Sequence, residues 1–127
     1  MSIQLNHTIV HAKNKEASAK FLSEILGLKN PRVFYHFLVV ETDNGVSLDF
    51  LSTDEEIQIQ HYAFLVSEEE FETIFARIQE RHVKYWADPM TSQEGKINHN
   101  DGGRGLYFKD PSGHVLEILT RPYGSGN

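Results

Sequence analysis

Ile59-Gln60-His61-Tyr62-Ala63-Phe64 reads as a second version of Leu5-Asn6-His7-Thr8-Ile9-Val10, and that likeness decides how the rest of the chain is parsed. His7 and His61 stand 54 positions apart, and so do Phe21 and Phe75, each inside the helical pattern that follows. Further on, Leu48-Asp49-Phe50-Leu51-Ser52 aligns with Leu116-Glu117-Ile118-Leu119-Thr120, with Gly45 and Gly113 each four residues before the carboxylate. The histidine-to-carboxylate spacing is 42 in the first copy and 56 in the second, so the second carries 14 extra residues, which the polar stretch 88–105 can hold. A degenerate duplication means one supersecondary unit used twice, so the fold is read one copy at a time.

In the first copy Ile3, Leu5, His7 and Ile9 alternate with polar neighbours, which predicts a half-buried strand over 3–10. Asn14 is placed to cap a helix whose apolar face is Ala17, Phe21, Leu22, Ile25 and Leu26, and Gly27 ends it. Residues 33–41 and 46–51 then read as a hairpin around Asp43-Asn44-Gly45, followed by a polar linker over 53–56. In the second copy a strand over 57–66 precedes Ser67-Glu68-Glu69-Glu70, a capping box that opens a helix with Phe71, Ile74, Phe75 and Ile78 inward. A short strand over 84–87 and a hairpin around Asp110-Pro111-Ser112-Gly113 complete it, and the tail 124–127 reads as loose. The expectation is an α+β fold in one domain spanning 1–127. It has two paired βαβββ modules, about 3–52 and 57–121, whose equivalent strands form an open, cup-shaped mixed sheet around a shared cleft with the helices outside.

Composition narrows the function. With 127 residues, 39% of them hydrophobic, the chain suits one compact domain with a real core. A net charge of −6 argues against nucleic acid or anionic membrane as partners held by charge. With no cysteine there is no disulfide, thiolate metal site or cysteine nucleophile. No apolar run reaches the roughly 18–20 residues of a membrane span, and the first residues lack a signal-peptide pattern. A cytoplasmic protein acting on a small molecule, without nucleic acid or membrane partners, is the expectation.

A lone histidine on a strand is usually structural. Here the histidine recurs at one repeat position, and an acidic residue recurs on the last strand of each copy. His61 and Glu117 stand among apolar neighbours, where an unpartnered polar group would be costly. A divalent cation held by His7, His61 and Glu117 accounts for all three. Two imidazoles and a carboxylate, with other positions open, is the arrangement of non-haem Fe(II) oxygenases, although Zn, Mn or Ni could use the same donors. His11 shares the face of His7 but lies about 13 Å along the strand, too far to share an ion. His36 and His82 read as structural or surface residues, and His114 as a solvated turn residue.

Taken with Asp110-Pro111-Ser112-Gly113-His114-Val115-Leu116-Glu117, these residues resemble the vicinal oxygen chelate superfamily. That group includes glyoxalase I, extradiol ring-cleaving dioxygenases, fosfomycin-modifying enzymes and bleomycin-binding proteins. The resemblance covers about residues 3–121. Ile97-Asn98-His99, then Leu106-Tyr107, then the Asp110 to Glu117 segment are similar to the extradiol dioxygenase signature. The resemblance implies that His99 handles a proton, that Tyr107 hydrogen-bonds a substrate oxygen, and that Glu117 binds Fe(II). A homodimer is the expected assembly, with the site either within one chain or completed by another. A histidine suits proton handling near neutral pH.

The reading that follows is a metal-dependent, extradiol-type dioxygenase for a small catechol-like or vicinally oxygenated substrate. Phe37, Phe50, Tyr62, Phe64 and Trp86 are pocket candidates, with Trp86 at the rim, and Arg104 could anchor an anion or simply lie in solvent. Two alternatives stay open. If Asp49 is a fourth ligand, the site suits a glyoxalase-like lyase or isomerase; otherwise Asp49 is a solvent-facing strand residue. If no metal binds, the chain is a small-molecule binding protein of the bleomycin-resistance kind.

Overall fold

Both helices begin where a side chain can accept a backbone N–H. Asn14 Oδ1 accepts from Ala17 N at 3.0 Å, and Ser67 and Glu70 satisfy each other's backbone N–H groups in a complete capping box. The structure, a computed structural model, describes residues 2–126 and divides into two compact units, one ending at Gln58 and one beginning at Ile59. Each unit holds a four-stranded mixed sheet and one helix, as the βαβββ repeat predicts.

The first unit runs β1 (His7–Ala12), α1 (Lys15–Leu26), β2 (Arg32–Phe34), β3 (Phe37–Glu41) and β4 (Ser47–Ser52). Its sheet order is β1-β4-β3-β2, with β1 parallel to β4 and the other pairs antiparallel. Gly27 ends α1 in the left-handed region at φ 74°. One sheet face puts Val10, Ala12, Val40, Leu48 and Phe50 into the core with Ala19, Leu22 and Ile25 of α1. The helix presents Ser18 and Ser23 rather than Ala17 and Phe21, because its buried stripe is centred on residues 18, 22 and 25.

Two boundaries differ from the sequence reading. β1 starts at His7, not Ile3, because β4 begins at Ser47, directly opposite His7; Ile3 and Leu5 are exposed. The apolar run 33–41 is two strands rather than one. It reverses at Tyr35-His36, where Tyr35 takes φ 54° and Phe34 faces Phe37 across the turn. No glycine marks the reversal; Lys15 Nζ secures it by donating to the His36 carbonyl at 2.8 Å.

The second unit runs β5 (His61–Leu65), α2 (Glu68–Glu80), β6 (Tyr85–Trp86), a 3-10 turn (Asn100–Gly102), β7 (Gly105–Lys109) and β8 (Val115–Leu119). Its order, β5-β8-β7-β6, repeats that of the first. The registers repeat too: His7 faces Ser47 and Ile9 faces Asp49 in one unit, while His61 faces Val115 and Ala63 faces Glu117 in the other. Phe71, Ile74 and Ile78 of α2 are buried with Leu106, Phe108, Leu116 and Ile118, and Phe75 meets Tyr85 edge-on at 5.1 Å. Phe50 is therefore a core residue, and Tyr62 and Phe64 point to the α2 side of their strand, away from His61.

The inserted stretch is tied down by its own hydrogen bonds. Asp88 accepts from Ser92 N, Ser92 Oγ and Gln93 N, Gly95 N donates to the Tyr85 carbonyl, and Asn98 pairs with Gly105 in both directions. The tail is not loose as far as residue 126, since Gly124 N and Gly126 N both donate to the Asp101 carboxylate; Asn127 lies outside the described residues. Among the described residues no helix is long and apolar enough to cross a membrane.

Candidate metal centre

Strand register places Glu117. Ala63, Glu117, Tyr107 and Trp86 lie side by side on four adjacent strands, so they share a sheet face, and His61 sits two residues before Ala63 on that face. The opposite face carries Phe108 and Leu116 and packs on α2, so the Glu117 face is the one turned away from the helix. There His61 Nε2 donates to Glu117 Oε1 at 2.9 Å. Glu117 is 8% exposed, while the His61 ring is half-exposed, so the carboxylate is sheltered and the imidazole reaches the surface.

The Asp110-Pro111-Ser112-Gly113-His114 turn sets the start of both strands. Asp110 Oδ1 accepts from Ser112 N at 3.0 Å and from His114 N at 2.8 Å, and Gly113 takes φ 96°. His114 is buried rather than solvated in the turn: its Nδ1 accepts from Gln60 N at 3.0 Å, while Val115 N donates to the Gln60 carbonyl. Both backbone groups of the residue before His61 are thus held by the segment leading to Glu117. Nothing in the residue types alone announces this role, because the histidine and its partner lie 54 positions apart.

Tyr107 joins the pair. Its ring centroid is 5.7 Å from that of His61, and its hydroxyl donates to Glu117. Burial first, then the Glu117 charge and that hydrogen bond, push the phenol up to about 12. Its folded value lies above the ordinary value near 10, so its contribution to stability is complete below about pH 10 and is lost as pH rises through about 12. An absorbance titration of the metal-free protein should therefore show one tyrosine ionising last, with a midpoint that falls partway back in Glu117→Gln. An unchanged midpoint in that variant would assign the shift to burial and the Asp88 charge instead.

The other candidates are dispersed. His99 is exposed on the stretch before the 3-10 turn, near enough to Glu68 for its charge to act there. Glu68 is held below its ordinary value by hydrogen bonds from Thr120 and Arg104, with the Arg104 and His99 charges adding. Arg104 is neither an anion anchor nor a free surface group: it pairs with Glu68 and Glu72 and lies 4.6 Å from the Phe71 ring centroid. In the first unit, His7 and Asp49 share one sheet face through the same register that relates His61 to Glu117. Asn6 Oδ1 sits 2.7 Å from His7 Nδ1, which leaves Nε2 to face outward. Asp49 is not solvent-facing; it is 8% exposed, and its Oδ1 has no hydrogen-bond partner. Among the described residues no three His, Asp or Glu side chains gather as a metal-binding group. The pair on β5 and β8 is the part of the predicted triad that the structure brings together.

The chain belongs to the Glyoxalase/Bleomycin resistance protein/Dioxygenase superfamily, whose profile matches residues 4–118, and its paired βαβββ modules are those of the vicinal oxygen chelate fold. Over its whole length it is similar to a solved structure named Oxidase ChaP-H2, with 61% identity, full coverage of both chains and a TM-score of 0.96. Oxidase ChaP-H1 is 58% identical over 97% of this chain and 99% of its own, with a TM-score of 0.95. The glutathione transferase FosA of Serratia marcescens is 31% identical over 120 residues, covering 90% of this chain and 78% of its own length.

Proposed function

We propose that this protein is a metal-dependent oxidative enzyme, an extradiol-type dioxygenase acting on a small catechol-like or vicinally oxygenated substrate. His7, His61 and Glu117 would hold a divalent cation, with Fe(II) the first choice. The observation that carries the reading is the His61 Nε2–Glu117 Oε1 approach of 2.9 Å, on an accessible sheet face with the Tyr107 hydroxyl on the same carboxylate. A sheltered carboxylate beside an imidazole whose Nε2 faces it is a donor set suited to a borderline divalent ion. Likeness to two proteins named as oxidases, at about twice the identity shared with the transferase, favours oxidation over group transfer.

When bound, the cation supplies Lewis-acid activation of the substrate's adjacent oxygens. The chain's own residues do the rest. Tyr107, kept protonated, offers an O–H to a substrate oxygen next to Glu117, whereas His99, whose charge acts on Glu68, has among the described residues no contact with that pair to carry a proton through. His7 is the third donor of the proposed set.

The test is metal content together with O2 uptake on a catechol panel after anaerobic Fe(II) loading. Near-stoichiometric iron and a ring-cleaved product, both lost in His61→Ala, are expected. The buried, unpartnered Asp49 Oδ1 favours a second reading, in which Asp49 is a fourth ligand and the enzyme is a glyoxalase-like lyase. Tight zinc or nickel without O2 uptake, with metal lost in Asp49→Ala, would replace the first reading with the second. Absence of any bound metal would leave a small-molecule binding protein.

A further inference from the structure

We propose that Lys109 and Trp86 form a second recognition element beside the His61–Glu117 pair, one that takes an acidic substituent on a planar aromatic substrate. The inference rests on the metal reading only for where the substrate's oxygens dock; the element itself is read from the sheet.

Register fixes the geometry. Tyr107 lies between Glu117 on β8 and Trp86 on β6, so Trp86 is two strand spacings, roughly 10 Å, from the carboxylate across a phenol ring. Lys109 follows Tyr107 by two residues and faces Val115, which in turn faces His61, so its side chain rises from the same face. The Lys109 ammonium sits 5.7 Å from the Trp86 ring centroid, and no carboxylate among the described residues pairs with it. Two acids lie nearby: Asp88 acts on Tyr107 through its charge but is already hydrogen-bonded to Ser92 and Gln93, and Glu94 faces Trp86 through an isolated bridge without forming an ion pair with Lys109.

Charge complementarity says what the element would take. The chain carries a net charge of −6, so an anionic ligand is disfavoured at long range unless a local cation such as Lys109 meets it. The remaining neighbours Ala63, Leu65, Val115 and Leu119 are apolar. A ring whose adjacent oxygens dock at His61 and Glu117 would cross Tyr107 and reach the Trp86 face. An acidic group at its far edge would meet Lys109 where the ring already excludes part of the water, a setting in which a charged contact counts for more than in bulk solvent. Lys109 is exposed and flexible, so it can leave the indole face for a carboxylate.

Trp86 is the chain's single tryptophan, so protein fluorescence reports on this element directly. The experiment titrates the Zn2+-loaded protein with 3-(3,4-dihydroxyphenyl)propionate and with 4-propylcatechol, its neutral counterpart. Both should change Trp86 emission, and the acid should bind about tenfold more tightly, the scale of one contact to a charged group. Lys109→Met should abolish that preference while leaving the affinity for 4-propylcatechol and the metal stoichiometry unchanged. Raising salt from about 0.05 to 0.5 M should shrink the preference in the native protein. Equal affinities in the native protein, or a preference that survives Lys109→Met, would overturn the proposal. If the protein takes up no metal, the function proposed above fails on its own, and 2-naphthoate, an aromatic acid that does not chelate, replaces the catechols. Quenching that disappears in Lys109→Met then supports the element, and quenching unaffected by the substitution sinks it.

Discussion

Glu117→Gln should abolish tight metal binding while leaving the fold in place. The amide matches the carboxylate in shape, so His61 Nε2 and the Tyr107 hydroxyl can still donate to its oxygen. The negative charge is lost, so a divalent cation at this proposed site should be held more than about 100-fold more weakly. Thermal unfolding with and without metal reads this directly. At a metal concentration 100 times its dissociation constant the native protein gains about 2.7 kcal/mol, whereas the variant at the same concentration should gain less than about 0.5 kcal/mol. Without metal the two proteins should unfold within about 1 kcal/mol of each other, because removing a charge that is 8% exposed offsets part of any lost hydrogen bonding. A variant that retains full metal stoichiometry would remove Glu117 from the donor set.

Phe71→Ala should be the most damaging core substitution in the second unit. The ring is fully buried, meets Phe75 at 5.8 Å, and has the Arg104 guanidinium 4.6 Å from its centroid. Truncation leaves a cavity beneath an ion-paired arginine and costs about 3–5 kcal/mol. Against a typical total of about 5–15 kcal/mol for a small protein, that is a large fraction of the stability. Urea denaturation should show the loss as a lower midpoint, with Phe71→Leu falling well short of it because leucine refills much of the volume. A loss below about 1 kcal/mol for Phe71→Ala would mean that the site collapses around the missing ring and that Arg104 is fastened by Glu68 and Glu72 alone.

The parts of the fold that were legible beforehand are those with local causes. Asn14, Gly27 and the Ser67–Glu70 box mark helix ends because each acts on backbone groups within a few residues. The duplication was legible because register is copied along with residue types: Asp49 and Glu117 face equivalent positions of β1 and β5. What stayed hidden depends on contacts distant in sequence or on polar residues with no local signature. The Tyr35-His36 reversal lies inside an apolar run and is secured from α1 by Lys15. His114 takes its role from Gln60, and Arg104 from Glu68 and Glu72, all reached only once the sheet and α2 have packed. The buried state of Asp49 is likewise a property of sheet packing, since alternation alone places it on the face it shares with His7. The His61–Glu117 pairing and Trp86 could be proposed from the sequence, whereas placing Lys109 beside Trp86 needed the β6–β7 register.

The stretch after Trp86 is closed at its stem, where Gln93 is joined to Ala87, Gly95 to Tyr85 and Asn98 to Gly105. Within it, Met90 stands in solvent, and Asp88 is occupied by Ser92 and Gln93. Such a segment behaves as an exchangeable cassette: mutation can rewrite its interior without disturbing the strands that carry His61 and Glu117. Under the proposed function, the border beside Trp86 would be free to change at little risk to folding while the strands carrying His61 and Glu117 stay fixed.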